Sequence, residues 1–398
     1  MSGVWDGLVG QADTVEVLSR AASAARTIAA GGAAPAGAMT HAWLFTGPAG
    51  SGRSVAARAL ASALQCTSED SPGCGQCSGC RTVQAGSHPD VRAIVPEGLS
   101  ISVSEMRGVV QLAARRPAFG RWQVVVIEDA DRLTEQAFNA LLKMIEEPPA
   151  QTVFLLCVPS THPDDVSVTI RSRCRLVSLR TPPAEAVAGV LMADGIDAET
   201  AHWAARASQG HVGRARRLAR DGQARDRRAA VLAIPASLTS LRACVQAADR
   251  LVAEAQSEAG ALSSTRDSDE TAALQTALGA GSTGKGTATA VRGMAGAVKD
   301  LEKRQKSRAT RTQRDALDRA LVDLAAFYRD VLLVHAGSSA PLSHPDFEDD
   351  IRTVARYADA PSTLNRLDAV LACREALEQN VKPIVAVQAM TASLRLPV

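Results

Sequence analysis

Gln123-Val-Val-Val-Ile-Glu-Asp-Ala-Asp131 is the stretch that decides the fold of this chain. Its apolar run, 123–127, is too short for a helix and too continuous for a half-exposed strand. It reads as a strand buried on both faces, with the acids Glu128, Asp129 and Asp131 at its C-terminal end. Thr134 then suits a helix N-cap, and Ala137, Phe138, Leu141, Leu142 and Ile145 recur at helical spacing until Pro148-Pro149 stops the helix. A second buried strand, Val153-Phe-Leu-Leu-Cys157, follows, and after a polar loop comes Thr169-Ile-Arg-Ser-Arg-Cys174. Strand, helix, strand with acids at a strand end is the nucleotide-site side of a doubly wound α/β sheet.

Upstream, His41-Ala-Trp-Leu-Phe-Thr46 predicts another buried strand, which runs into Gly47-Pro-Ala-Gly-Ser-Gly-Arg-Ser54 and a helix over about residues 54–65. The junction fits the phosphate-loop pattern G-x-x-x-x-G-K-[ST], with Gly47, Gly52 and Ser54 in place and Gly50 a further glycine of the candidate nucleotide-binding loop. Glycines let backbone amides approach phosphates, the helix N-terminus adds positive potential, and the Ser hydroxyl can ligate magnesium. The lysine position, however, holds Arg53. A planar guanidinium binds anions in a different geometry from a compact ammonium, so nucleotide affinity should fall.

Between residues 66 and 80 the sequence reads Cys66-x7-Cys74-x2-Cys77-x2-Cys80. Four thiols at this spacing converge on one tetrahedral zinc, with Pro72, Gly73, Gly75 and Gly79 supplying tight turns. Because all four ligands come from protein, the role is structural. Disulfides would require an oxidising compartment, and a redox pair would leave two cysteines over. Cys157, Cys174, Cys244 and Cys373 lie among apolar neighbours and read as buried thiols.

Several separate segments carry a family resemblance. Ile127-Glu-Asp-Ala-Asp-Arg-Leu133, Phe138-Asn-Ala-Leu-Leu-Lys143, Glu146-Glu-Pro-Pro149 and Ser172-Arg-Cys174 resemble the core of the AAA+ subunits of the bacterial sliding-clamp loader. The likeness covers roughly residues 1–220 and extends to the rest only in helical character. It implies an α/β AAA+ P-loop domain with a zinc module, a small helical lid and an all-α C-terminal collar that joins subunits into a ring. The corresponding segments are 1–181 for the α/β domain, 182–228 for the lid and 229–398 for the collar. Val9-Gly-Gln11 resembles the short motif that flanks the adenine site in these subunits.

The resemblance also shows where the chemistry departs. Family ATPases carry Asp then Glu at the end of the central strand, one tied to magnesium and the next orienting the attacking water. Here Glu128 then Asp129 swap the lengths, and misplacing a reacting group by about 1 Å can cost on the order of a hundredfold. A nucleotide-sensing arginine is expected just after the lid glycine, but Gly210-His-Val-Gly-Arg214 puts Gly213 there and Arg214 one step late. These departures, with Arg53, argue against hydrolysis and leave ATP and magnesium binding open. Arg173, in the Ser172-Arg-Cys174 motif, is the residue such subunits insert into a neighbour's ATP site. The implied partners are the loader's delta and gamma/tau subunits in a heteropentamer, and through them the sliding clamp and primer-template DNA. The alternatives are a hydrolysing gamma/tau-type motor subunit and a different DNA-remodelling AAA+ protein.

With 44 basic and 42 acidic side chains in 398 residues the formal charge is only +2, so any nucleic-acid contact must come from local patches. The N-terminus lacks a basic and apolar leader pattern, and no run approaches a membrane span, so a cytoplasmic protein, in the replisome at the nucleoid, is expected. Two basic runs stand out, over 214–228 and 299–314, and Arg115-Arg116 closes the helix over Met106, Val109, Val110 and Leu112. Residues 256–297, rich in Gly, Ser, Thr and Ala with little apolar periodicity, read as a flexible or weakly helical insertion. Amphipathic helices follow to the end.

Overall fold

The computed structural model describes residues 3–277 and 287–397. Its residues divide into two compact units: Met1–Pro96 with Ser100–Arg220, and Glu97–Leu99 with Asp221–Val398.

The first unit opens with α1 (Ala12–Ala29), β1 (Ala42–Thr46), α2 (Arg53–Leu64), α3 (Ser78–Gln84), β2 (Val91–Ile94) and α4 (Val103–Ala113). It continues with β3 (Gln123–Ile127), α5 (Glu135–Glu146), β4 (Thr152–Val158), α6 (Val168–Arg171) and β5 (Arg175–Ser178), and ends in α7 (Ala184–Ala193), α8 (Ala198–Ala207) and α9 (Val212–Arg220). The strands form one parallel sheet in the order β2-β3-β4-β1-β5. Alternation along each strand splits the core in two. Trp43, Phe45, Val124, Val126, Val153 and Leu155 pack on one side with α1 and α2, whereas Leu44, Val125, Ile127, Phe154 and Leu156 pack on the other with α4 and α5. Thr134 caps α5, its Oγ1 accepting from the Ala137 N–H at 3.3 Å.

β5 has no counterpart in the sequence reading. Of its four residues only Val177 is buried, so it carries neither a continuous apolar run nor a convincing alternation, and pairing with β1 alone defines it.

The second unit consists of α10 (Gly222–Leu232), α11 (Ile234–Ser237), α12 (Leu241–Ala277), α13 (Thr287–His335), α14 (Glu348–Tyr357), α15 (Ala360–Glu378) and α16 (Pro383–Ser393). Leu317, Leu321, Leu324, Phe327, Tyr328, Val370 and Val387 lie in its apolar core. The contact division falls after Arg220, so α10 (Gly222–Leu232) goes as one helix with this unit, its Val231 and Leu232 belonging to the core.

The stretch anticipated as a flexible or weakly helical insertion, 256–297, is helical over its described residues. Residues 256–277 continue α12 and 287–297 begin α13, while 278–286 lie outside the described residues. Alanine, glutamate and glutamine favour the helix locally, and polar pairs take the place of an apolar stripe. Buried Arg308 of α13 donates to Asp267 at 2.6 Å and to Glu270 at 2.5 Å, both on α12. Gln305 donates to the Asp267 carbonyl at 3.0 Å. The basic run at 214–228 is likewise partly consumed by ion pairs. Arg216 meets Asp194 at 2.6 Å, and Arg228 is buried in the second unit against Asp346 at 2.6 Å.

Candidate functional site

The phosphate loop follows β1, and the acids follow β3, with β4 lying between those strands. Gly47, Gly50 and Gly52 all have positive φ, at 151°, 84° and 94°. Gly52 is the N-cap of α2, which puts Arg53 and Ser54 in its first turn. Gly50 also admits a close neighbour. A Cβ there would lie 2.7 Å from the Cβ of His211, the residue before α9, so the segment entering α9 packs directly on the loop. The His211 Nδ1 accepts from the Arg214 N–H at 3.2 Å.

The acids are held in a way that differs from a magnesium site. Glu128 accepts from Arg58 of α2, at 2.7 Å from Nη2 and 3.2 Å from Nε. Asp129 adopts a left-handed conformation with φ 49°. Asp131 is pushed up to about 6 by burial first and then by the neighbouring Asp129 charge, and its Oδ1 is buried without a hydrogen-bond partner among the described residues. The Arg53 Nη1 and Ser51 Oγ are buried and unsatisfied in the same sense. Burial, with the Glu128 charge next, raises the Cys157 thiol at the end of β4 to about 12, so it is inert.

Gln11 is engaged by main-chain groups on two segments. Its Nε2 donates to the Arg180 carbonyl at 2.5 Å and to the Ser51 carbonyl at 3.4 Å, and its Oε1 accepts from the Arg180 N–H at 3.3 Å. It ties the phosphate loop to the segment after β5. Arg58 and His211 escaped the sequence reading, since each finds its partner far along the chain and neither stands in a motif position.

Arg173 lies after α6. It pairs with Glu146 at the end of α5 at 2.9 Å, each side chain being 39% exposed, and donates to the Thr169 carbonyl at 3.0 Å.

Cys66, Cys74, Cys77 and Cys80 bring their four sulfurs within 4.8 Å of one another, a cluster that could bind a metal ion. Backbone N–H groups point at these sulfurs, from Cys77 to Cys74 at 3.3 Å and from Cys80 to Cys77 at 3.4 Å. Burial pushes the Cys77 thiol up, but the Cys80 and Thr67 N–H groups outweigh it and bring it to about 5. Burial, less offset, raises Cys80. Converging sulfurs, with Cys66 and Cys77 stabilised as thiolates by backbone donors, suit a thiophilic metal.

A parallel five-stranded sheet with a glycine loop after β1 and acids after β3 is an α/β arrangement like that of AAA+ clamp-loader folds. Residues 31–183 match the family described as DNA polymerase III, delta subunit. DNA polymerase III subunit delta' of Escherichia coli is 39% identical over 151 residues, 37% of this chain and 45% of that protein. The Bacillus subtilis delta' is 28% identical over 194 residues, 49% of this chain and 58% of its own length. The tau subunit of Salmonella typhimurium is 37% identical over 152 residues, 38% of this chain and 23% of that protein. The chain thus spans about half the length of the delta' relatives. Over the matched segment the chain is thus similar to both delta' and tau subunits.

Proposed function

We propose that this chain serves DNA replication as a delta'-type subunit of the DNA polymerase III clamp loader, a member of the ring whose own ATP site is degenerate. The observation that carries this reading is the Arg58 to Glu128 pair. The carboxylate at a catalytic acid position is engaged by a cation of the chain itself, beside a phosphate loop that has Arg53 in place of lysine. The phosphate side of the site fits an anion, since Ser51 Oγ and Arg53 Nη1 are buried donors left unsatisfied. The magnesium side fits poorly, and no hydrolytic step follows from it. Similarity to tau does not favour the motor reading, because the altered positions are the ones hydrolysis needs.

Arg173 is the arginine finger in this proposal. A half-exposed guanidinium on a single half-exposed carboxylate changes partner at little cost, because such pairs contribute about 0–1 kcal/mol. In a neighbour's ATP site it would stabilise charge spreading over the terminal phosphate, an effect of about 10³ to 10⁵ in rate. The four cysteines hold a structural zinc, and the helical unit acts as the collar. The partners are the delta and gamma/tau subunits in a heteropentamer, with the sliding clamp and primer-template DNA reached through it, in the cytoplasm at the nucleoid.

Reconstitution with delta and tau subunits tests this. The chain should enter the complex and show no appreciable ATPase alone. Arg173→Ala should assemble normally yet lower the DNA-dependent ATPase and clamp loading of the complex. Normal turnover by the isolated chain, or an assembled Arg173→Ala complex with unaltered rates, would overturn it.

A further inference from the structure

Residues 3–11 form no helix or strand, yet Val4, Leu8 and Gln11 among them are buried. A short segment without a ladder of its own keeps its place through what it touches. Its local turns are closed by the Asp6 N–H on the Gly3 carbonyl at 3.3 Å and the Leu8 N–H on the Trp5 carbonyl at 2.9 Å. What fastens it to the rest of the unit lies at its two ends.

The first end rests on the cysteine module. The Val4 N–H donates to the Gly73 carbonyl at 3.0 Å, and the Trp5 Nε1 donates to the Pro72 carbonyl at 3.4 Å. Gly73 has φ 95°, and a Cβ on it would lie 2.7 Å from Val4 Cγ2 and 2.9 Å from Trp5 Nε1, so the two segments touch along their backbones. The second end rests on the phosphate loop and the first turn of α2. A Cβ on Gly7 would lie 3.1 Å from Val55 Cγ1, and one on Gly52 would lie 3.9 Å from Leu8 Cδ2. Gln11 then donates to the Ser51 carbonyl at 3.4 Å.

Pro72 and Gly73 are buried, but residues 67–71, which lead to them, are polar and exposed or half-exposed, so they bring no apolar side chain to the core. Apart from an exposed Arg26 donor on the Glu69 carbonyl at 3.0 Å, that loop is defined by its closure between Cys66 and Cys74. A metal held by both cysteines fixes the two ends of the loop together, and with them the position of the Gly73 carbonyl.

We propose that residues 3–11 are a strap that couples metal occupancy of the cysteine cluster to the order of the phosphate loop. With the cluster closed, Pro72 and Gly73 anchor Trp5 and Val4, and the strap steadies Ser51 and the start of α2. With the cluster open, the strap loses its first anchor and the phosphate loop loosens. The coupling rests on the metal reading of the four cysteines and is independent of the finger role of Arg173.

Hydrogen exchange of the full chain, thiols reduced, tests this in zinc-loaded and chelator-treated samples whose zinc content is read by elemental analysis. The reporting amides are Gly47, Ser51 and Ala56, bonded to the Pro159, Pro48 and Gly52 carbonyls at 3.2 Å, 3.1 Å and 2.8 Å. Metal removal should speed exchange over 47–56 by about tenfold or more while β3 stays protected. Trp5→Ala with zinc bound should reproduce that fast exchange at unchanged zinc content, and metal removal should then add little. Trp5→Phe, which keeps a ring against Gly73, should restore the slow exchange.

Stoichiometric zinc whose removal leaves 47–56 unchanged overturns the strap and leaves the metal reading standing. Reduced protein that takes up no zinc overturns the metal reading and the strap with it. If zinc-loaded Trp5→Ala exchanges as slowly as the parent while metal removal still loosens 47–56 in both, the signal travels through α2, and the strap is overturned. Loss of protection in β3 alongside 47–56 also overturns it, since the unit then opens as a whole.

Discussion

Arg58 on α2 and Glu128 at the end of β3, seventy positions apart in sequence, meet through two nitrogens on one oxygen, at 2.7 Å and 3.2 Å. The consequence concerns repair of the site. Arg53→Lys alone supplies the missing ammonium but leaves Glu128 engaged by Arg58 and the acids in swapped order. The variant should therefore show no ATP turnover above the parent chain, measured as phosphate release at saturating ATP and magnesium. A rate within tenfold of a working motor subunit would show that Arg53 was the sole defect.

The cysteine cluster should hold one equivalent of zinc, read by elemental analysis of protein purified without chelator and with thiols reduced. Structural zinc contributes about 10–16 kcal/mol in small peptides. Here Cys66 and Cys80 also belong to the core on one face of the sheet, so part of the module survives by packing. Cys74→Ser should abolish stoichiometric zinc and lower the melting temperature by several degrees without unfolding the second unit. Metal-free protein of unchanged melting temperature would count against a structural role.

Much of the first unit is legible in the sequence. β3 occupies the quoted apolar run, and β4 extends the anticipated strand by one residue at each end, because buried parallel strands declare themselves as continuous Val, Leu and Ile. Thr134 marked its helix by cap chemistry that acts over three residues. What escaped were contacts between distant residues with no period to betray them: Arg58 with Glu128, Asp90 with 118–120, and His211 against Gly50. The roles proposed for Arg53 and Arg173 rest on motif positions, which name a residue without saying what it touches. The helices over 256–277 and 287–297 were legible only as a flexible or weakly helical stretch, for a related reason. Their pairing is polar, and small polar residues without an apolar stripe look like a linker.

A pH effect should come from His344, buried in the second unit. Arg228 Nη2 donates to its Nδ1 at 2.9 Å, so Nε2 carries the proton and donates to the Asp323 carbonyl at 3.2 Å. Burial, with the Arg228 charge next, lowers the His344 pKa, although Asp323 and Asp330 act in the opposite sense. The folded state therefore prefers neutral histidine, while the unfolded chain takes up a proton below about 6.5. Stability that is full above that value should decline as pH falls below it. Urea unfolding at pH 7.5 and 5 should show the loss, and His344→Gln, which keeps an acceptor and a donor, should shrink the difference. An equal pH dependence in the variant would assign the effect to other groups.

The last expectation concerns the polar clamp that replaces an apolar stripe between α12 and α13. Arg308 is buried, and its partners Asp267 and Glu270 are 26% and 30% exposed at the side chain. Hydrogen bonds from Arg308, offset in part by desolvation, hold the Glu270 carboxyl down at about 2. Its contribution is thus complete above the ordinary carboxylate range and is lost as pH falls through about 2. Removing one partner of a fully buried pair costs about 3–5 kcal/mol, because the other charge is stranded. Here both carboxylates reach water, so Arg308→Met, which fills the space of the stem, should cost less, about 1–3 kcal/mol. The loss should be local. The core around Leu321, Phe327 and Val370 lies along other turns of α13, so amide exchange should accelerate over 256–277 and 296–308 while residues near 317–331 stay protected. If exchange over 256–277 is unchanged in the variant, helix propensity alone holds these segments and the clamp is incidental. If the whole unit melts together, the helix pair is one cooperative block and not an extension of the core.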